Sequence, residues 1–289
     1  MKKRITKVCF LLLTVFISSE SCKKSGYIEN DTSGVLENAN AERLSNDIVN
    51  MGIEASYGSM TNYRLTQNYQ VFTSGALITF DSIIKTDNDT LLINFGTGTT
   101  GQDSRIRKGM LMYIYPTNRH YRDSGIVISV STPGNTYYCD GEQIVINSKT
   151  VTNHGHISYG MLTWSVVSDL NIVLSTGKTN HWVSSKTKVL LAGEEPNFQP
   201  IAWSKAKVAI FGSSNGTASD GSAFTTTIAQ NAWLVRDFTC GVYKKYFVSG
   251  TLQFFPTGHP CRYLNYGTGN CDNQAVVTIS GQSYNITLP

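Results

Sequence analysis

Leu91–Gly101 reads LLINFGTGTTG, an apolar strand-like run followed at once by G-x-G-x-x-G. The spacing is that of a dinucleotide loop, where a strand delivers backbone N–H groups to a pyrophosphate and a helix opens at the last glycine. The next stretch, Gln102–Tyr115 (QDSRIRKGMLMYIY), decides against it. Arg105 and Arg107 alternate with Ile106, and the apolar run beyond them has the period of a strand, so no helix dipole faces the glycines. The segment therefore reads as strand, turn, strand, and nucleotide binding is not expected.

A second copy of the pattern strengthens this reading. Ser74–Phe80 (SGALITF) matches Ser249–Phe255 (SGTLQFF) at Ser, Gly, Leu and the final Phe, and Asn94–Gly98 (NFGTG) matches Asn265–Gly269 (NYGTG). Each copy continues through an aspartate, Asp103 or Asp272, into another apolar segment, and the second copy lacks the third glycine. Related units near 74–115 and 249–288 thus flank the middle of the chain. In both, the glycines at 96, 98, 267 and 269 are expected to be structural turns that use φ > 0.

Between these units the period of two recurs in QIVIN (143–147), MLTWSVV, HWVSSKTKVLL, KVAIF and FTTTIA, punctuated by Asn, Asp and Gly clusters. On the order of fourteen closely spaced strands favour antiparallel neighbours joined by hairpins. Before them, Leu44, Ile48 and Met51 recur at helical spacing, so a short amphipathic helix is expected at 39–60, capping a sheet face. The expected fold is all-β: antiparallel hairpins and meanders forming an elongated sheet or sandwich over 61–289, with a short N-terminal helix.

The chain opens MKKRITKVCFLLLTVFISSESC, with four basic residues, an apolar run too short to span a bilayer, and small polar residues leading to Cys22. Residues 1–21 read as a signal peptide. Ser19–Cys22 followed by Lys23 and Lys24 resembles the lipobox of bacterial lipoproteins, although Glu20 stands where a small or apolar residue is usual. The resemblance implies that Cys22 is lipidated and that 22–38 is a flexible tether to the membrane. It also implies an outer-membrane lipoprotein. Lys23 and Lys24, in place of the acidic residues associated with surface display, favour the periplasmic face.

Loss of residues 1–21 removes four basic side chains and one acidic one, so the formal charge falls from +4 to +1. No basic block remains to neutralise phosphates, and nucleic acid is not an expected partner. Four cysteines remain besides Cys9 and Cys22: Cys139, Cys240, Cys261 and Cys271. In an oxidising compartment they allow up to two disulfides in three pairings, or four thiols.

The mature chain resembles a group of uncharacterised Bacteroidota lipoproteins. The resemblance is carried by N-F-G-T-G-x-T-G with Arg105, Arg107, Lys108 and Gly109 after it, Val151-Thr152-Asn153, Gly216-Thr217-Ala218, and the closing GTGNCDNQAVVTISGQSYNITLP. It implies no activity. It does imply a disulfide between Cys240 and Cys271, which fall at recurring positions. Cys139 and Cys261 lie outside these positions, and a bond between them is the remaining pairing.

Other motifs point to chemistry only in part. Gly212–Gly216 (GSSNG) has the G-x-S-x-G spacing of a nucleophile elbow, with Asp237 and His259 following in hydrolase order, but TASDGSAFTTTI supplies no helix behind Ser214 and a hairpin loop is expected. His154 and His156 stand at i and i+2, a geometry usable for a metal if a third ligand converges. Asp87-Asn88-Asp89 and Asp272-Asn273 could offer oxygens to calcium but match no calcium-loop pattern, and they serve equally as turn residues. Trp164 is in phase with Leu162 and Val166 and is expected to be buried, while Tyr137-Tyr138 puts one ring on each face. No cofactor is expected. The function expected is that of a non-enzymatic envelope lipoprotein, binding or structural, held to the membrane by its lipid and meeting an envelope protein or glycan. The alternative is an extracytoplasmic hydrolase acting on glycan or peptide.

Overall fold

The computed structural model describes residues 29–56, 70–81, 88–116, 119, 121, 123–158, 160–194, 201–244 and 246–288. Residues 1–21, read above as a signal peptide, and Cys22 lie outside these residues, as does Asp87.

One α-helix, seventeen strands and three single-turn 3-10 helices make up the regular structure of the described residues. The helix, α1, spans Ser33–Ser56. The strands are β1 (Leu77–Asp81), β2 (Asn88–Asn94), β3 (Thr99–Thr100), β4 (Ile106–Lys108), β5 (Met110–Pro116), β6 (Val127–Ser131), β7 (Tyr138–Cys139), β8 (Glu142–Ser158), β9 (Met161–Val173), β10 (Thr179–Ala192), β11 (Lys207–Thr217), β12 (Ala223–Ile228), β13 (Leu234–Asp237), β14 (Ser249–Pro256), β15 (Arg262–Thr268), β16 (Gln274–Ile279) and β17 (Gln282–Thr287). All pairings are antiparallel within one sheet, as the alternating sequence requires. The main run passes from β1 through β2, β5, β6, β8, β9, β10 and β11, continues through β12 and β13 to β14, and ends at β15, β16 and β17.

The sheet curls around α1. On the helix, residues two apart point about 200° from each other. Ser45 meets Lys149 of β8 and Ser168 of β9, whereas Asp47 meets Arg236 of β13 and Arg105 just ahead of β4. Partners thus stand on opposite sides of the helix, and 20 of its 24 residues are buried. Strands bend where their register shifts, at Ile146/Ser148, Asn153/Gly155 and His156/Ser158 in β8, Leu190/Ala192 in β10 and Ser249/Thr251 in β14. Such bulges increase local twist and let a long sheet wrap. The inner faces of the strands join Leu44, Ile48, Val49 and Met51 of the helix in one hydrophobic core with Phe72, Phe95, Tyr113, Trp164, Leu170 and Leu252.

The all-β class with an N-terminal helix is as expected, but the helix differs in extent and role. It starts at Ser33, inside the segment read as tether, and Glu29 already bonds His259 on the far side of the sequence. Rather than capping a face with one apolar stripe, α1 is the centre of the core. The partners of its polar positions, basic side chains on distant strands, are invisible to helical periodicity.

Cys240 and Cys271 are joined by a disulfide, with Cα atoms 5.3 Å apart. Cys139 and Cys261 are not joined, so the remaining pairing is not made. Cys139 on β7 is paired with Arg107 of β4 and Glu142 of β8, whereas Cys261 immediately precedes β15, which runs between β14 and β16. These strands are not neighbours, and a disulfide needs Cα atoms within about 7 Å.

Candidate functional site

The two glycine motifs fold alike. Asn94 Oδ1 accepts from Gly96 N and Asn265 Oδ1 accepts from Gly267 N, each at 2.8 Å. Gly96, Gly98, Gly267 and Gly269 all have positive φ, at 56°, 147°, 91° and 118°. An asparagine that bonds its own backbone two residues on, followed by glycines free of Cβ strain, makes a bend without a ligand.

The concentration of charge lies inside the sheet. Arg105 and Arg107 are fully buried, and Ile106 between them is 59% exposed. Arg107 makes a two-pronged contact with Asp103, at 2.9 and 2.6 Å, and its Nη2 lies 3.7 Å from Asp47. Asp47 also receives Arg105 and Arg236. Higher on the helix, Glu42 pairs with Lys186 at 3.0 Å, and Lys149 donates to Ser45 Oγ and Ser168 Oγ at 2.7 Å. Near its end, Glu54 accepts from the backbone N–H groups of Val71, Phe72 and Thr73 and from the Thr73 hydroxyl.

Burial governs the protonation of these groups. It raises Glu54 to about 7 against the pull of its hydrogen bonds, lowers Lys149 to about 7, and lowers Arg236 to about 9. Lys188 is pushed well below the usual lysine range by burial and by the neighbouring cations Arg236 and Lys149. Arg107 moves the other way despite its burial, because Asp103 holds it by hydrogen bond and charge. Asp47, Glu42 and Ser45 bind the helix to β13, β10 and β8, segments remote in sequence, whereas Arg107–Asp103 is local and Glu54 ties the helix end to residues 71–73.

β10 shows how the match is built. Trp182 Nε1 donates to Asn38 at 2.9 Å, Lys186 meets Glu42, and Lys188 meets Asn50. Twelve helical residues rise about 18 Å and six strand residues about 20 Å, so the first and last of these pairs lie about equally far apart on helix and strand. The sequence signal was present in the inward phase of β10, where Lys186 and Lys188 continue the register of Trp182 and Ser184. It acquires meaning only beside Glu42 and Asn50.

On the outside, an open cleft of about 410 Å³ is lined by Asn265, Asn270, Asp272, Gln274 and Asn285, with Gly267 of the second glycine motif at its rim. Carboxamides both donate and accept hydrogen bonds, so this wall can match hydroxyl and amide groups of either polarity. The Cys240–Cys271 disulfide ties the loop that carries Asn270 and Asp272 to the turn at Phe238–Cys240.

The remaining candidate residues are dispersed. Ser214 lies within β11 rather than in a hairpin loop; its side chain faces inward, 3% exposed, and touches Asn38 at 3.1 Å and Thr226 at 2.5 Å. Asp237 caps the turn at Thr239 and pairs with Lys207, while His259 pairs with Glu29. The three side chains therefore do not assemble as a triad. His154 and His156 are separated by the bulge at Gly155, and they bond Ser165 and Glu194 respectively. Among the described residues no group of three metal-ligating side chains converges. Asp272 accepts from Gln274 N at 3.0 Å as a turn residue. Trp164, Trp182 and Trp203 are buried, and Tyr137 is buried beside a more open Tyr138, whose ring carries Lys108 at 4.1 Å. No protein-family model, curated protein or solved structure matches the chain.

Proposed function

We propose that this protein is a non-enzymatic lipoprotein of the cell envelope, anchored through Cys22 to the outer membrane, that offers its β surface to an envelope glycan or protein. The observation that supports this most is the separation of its polar groups. The buried acids and bases bond the central helix to the sheet, whereas the open cleft presents the carboxamides of Asn265, Asn270, Gln274 and Asn285 beside a single carboxylate, Asp272, which already accepts from Gln274 N. Such a wall suits a neutral, hydroxyl-rich ligand that is held by many modest hydrogen bonds. On the periplasmic face the glycan within reach is peptidoglycan.

Co-sedimentation of the purified full chain with isolated peptidoglycan sacculi tests the ligand, and proximity labelling from the native lipoprotein in intact cells tests a protein partner. Binding that falls at least several-fold in Asn270→Ala/Asn285→Ala, with an unchanged melting temperature, is the expected result. No sedimentation and no reproducible neighbour would overturn the binding reading. A Cys22→Ala chain that still incorporated a palmitate analogue would overturn the anchor.

A further inference from the structure

Lys188 of β10 and Asn50 of α1 are 1% and 2% exposed, and the lysine Nζ lies in direct contact with the Asn50 carboxamide oxygen. Among the described residues no carboxylate pairs with this lysine. Its charged neighbours are the cations Arg236 and Lys149, and the Trp164 ring stands 5.8 Å from Nζ. Burial among cations favours the uncharged amine, which has a lone pair free for attack. Asn50 is fixed by the helix, Lys188 is fixed between Trp164 of β9 and Ile210 of β11, and the pair is closed to bulk water. A nucleophile, an acyl group and a dry site therefore coincide, and none of the other buried lysines has this combination. Lys186 faces a carboxylate and Lys149 faces two hydroxyls.

We propose that Lys188 and Asn50 form an intramolecular isopeptide bond that ties the central helix covalently to β10. The Lys188 Nζ lone pair attacks Asn50 Cγ, the Nζ–Cγ bond forms, and the Cγ–Nδ2 bond breaks. One amine proton passes to the departing nitrogen, which leaves as ammonia. Atoms and electrons balance without an oxidant or cofactor. Intramolecular aminolysis in a held geometry gains an effective concentration of about 10⁵ M or more over the same groups in solution. The product is an amide between residues 138 apart in sequence, indifferent to redox conditions, unlike the Cys240–Cys271 bond.

Peptide mapping of the purified full chain by mass spectrometry, after reduction of disulfides, tests the bond directly. The expected product is a branched peptide joining the segment that holds Asn50 to the segment that holds Lys188, lighter than the sum of the two by one ammonia. Lys188→Met and Asn50→Ala should each abolish it and slow the chain on a denaturing gel. The wild-type map is decisive even where a variant fails to fold. Recovery of both segments as linear peptides, with Asn50 intact or deamidated, would overturn the proposal and leave a hydrogen bond only.

Discussion

Asp47 Oδ1 accepts from Arg236 Nη1 at 2.6 Å across 189 residues of chain, with both side chains nearly buried, while the other Asp47 oxygen receives Arg105. One helical carboxylate thus joins β13 to the segment ahead of β4 through the middle of the fold. Removing it would leave the buried Arg236 guanidinium without its carboxylate, which commonly costs about 3–5 kcal/mol, while Arg105 keeps Asp140 and Arg107 keeps Asp103. Asp47→Ala should therefore lower the urea midpoint by a corresponding amount. A loss below about 1 kcal/mol, the range of surface pairs, would mean that the pair contributes little to holding the helix in place.

Gly52 lies inside α1 where the helix passes two tyrosines. A Cβ there would stand 2.5 Å from Tyr113 Cε1 and 2.6 Å from Tyr121 Oη. Gly52→Ala gains about 1 kcal/mol of helix propensity, but the overlap with a packed core costs about 1–3 kcal/mol. The expected net result is destabilisation. A higher melting temperature in this variant would show that the tyrosines move aside freely.

Two glycines of the first repeated unit separate backbone strain from crowding. Gly96 has φ of 56° and nothing within 4 Å of an added Cβ, so Gly96→Ala should cost about 1 kcal/mol. Gly109, at φ of 83°, would place a Cβ into the Thr136 carbonyl. Gly109→Ala adds that clash to the strain and should cost about 3 kcal/mol or more. Neither variant should show a melting shift that depends on ATP or NAD, a readout that addresses the nucleotide-loop reading of NFGTG.

Lys149 makes stability depend on pH in a defined window. Burial lowers its folded-state value to about 7 from 10.5, with Glu42 opposing. Between these values the unfolded chain carries a proton that the folded chain lacks, so stability rises as pH increases from about 7 to about 10. Below that window the cost of the buried charge is fully present. Urea midpoints across the range should rise for the wild type and rise less for Lys149→Met. Parallel curves would place the titration on another group.

The β architecture was legible because its cues are local. Period-two segments, Asn-Gly punctuation and the paired SGALITF/SGTLQFF and NFGTG/NYGTG segments specify strands and bends over a few residues each. Trp164 was placed inside by its phase with Leu162 and Val166. The interior charges were not legible in this way. Arg105 and Arg107 flank an exposed Ile106, an inversion that local pattern reading assigns to the wrong face. Ser214 was drawn to a loop by its glycines, although β10 and β12 hold it within a strand.

By itself the sequence determined an antiparallel all-β chain, a helix through Leu44, Ile48 and Met51, and two repeated bends that need glycine at positive φ. These depend on backbone preference and side-chain period, which act within a few residues. Only the tertiary structure decided that the sheet curls around the helix, and that Asp47, Glu42 and Asn50 meet Arg236, Lys186 and Lys188. A buried charge is tolerated only beside its partner. Here each partner lies more than a hundred residues away, so the pairing exists only once the chain is folded.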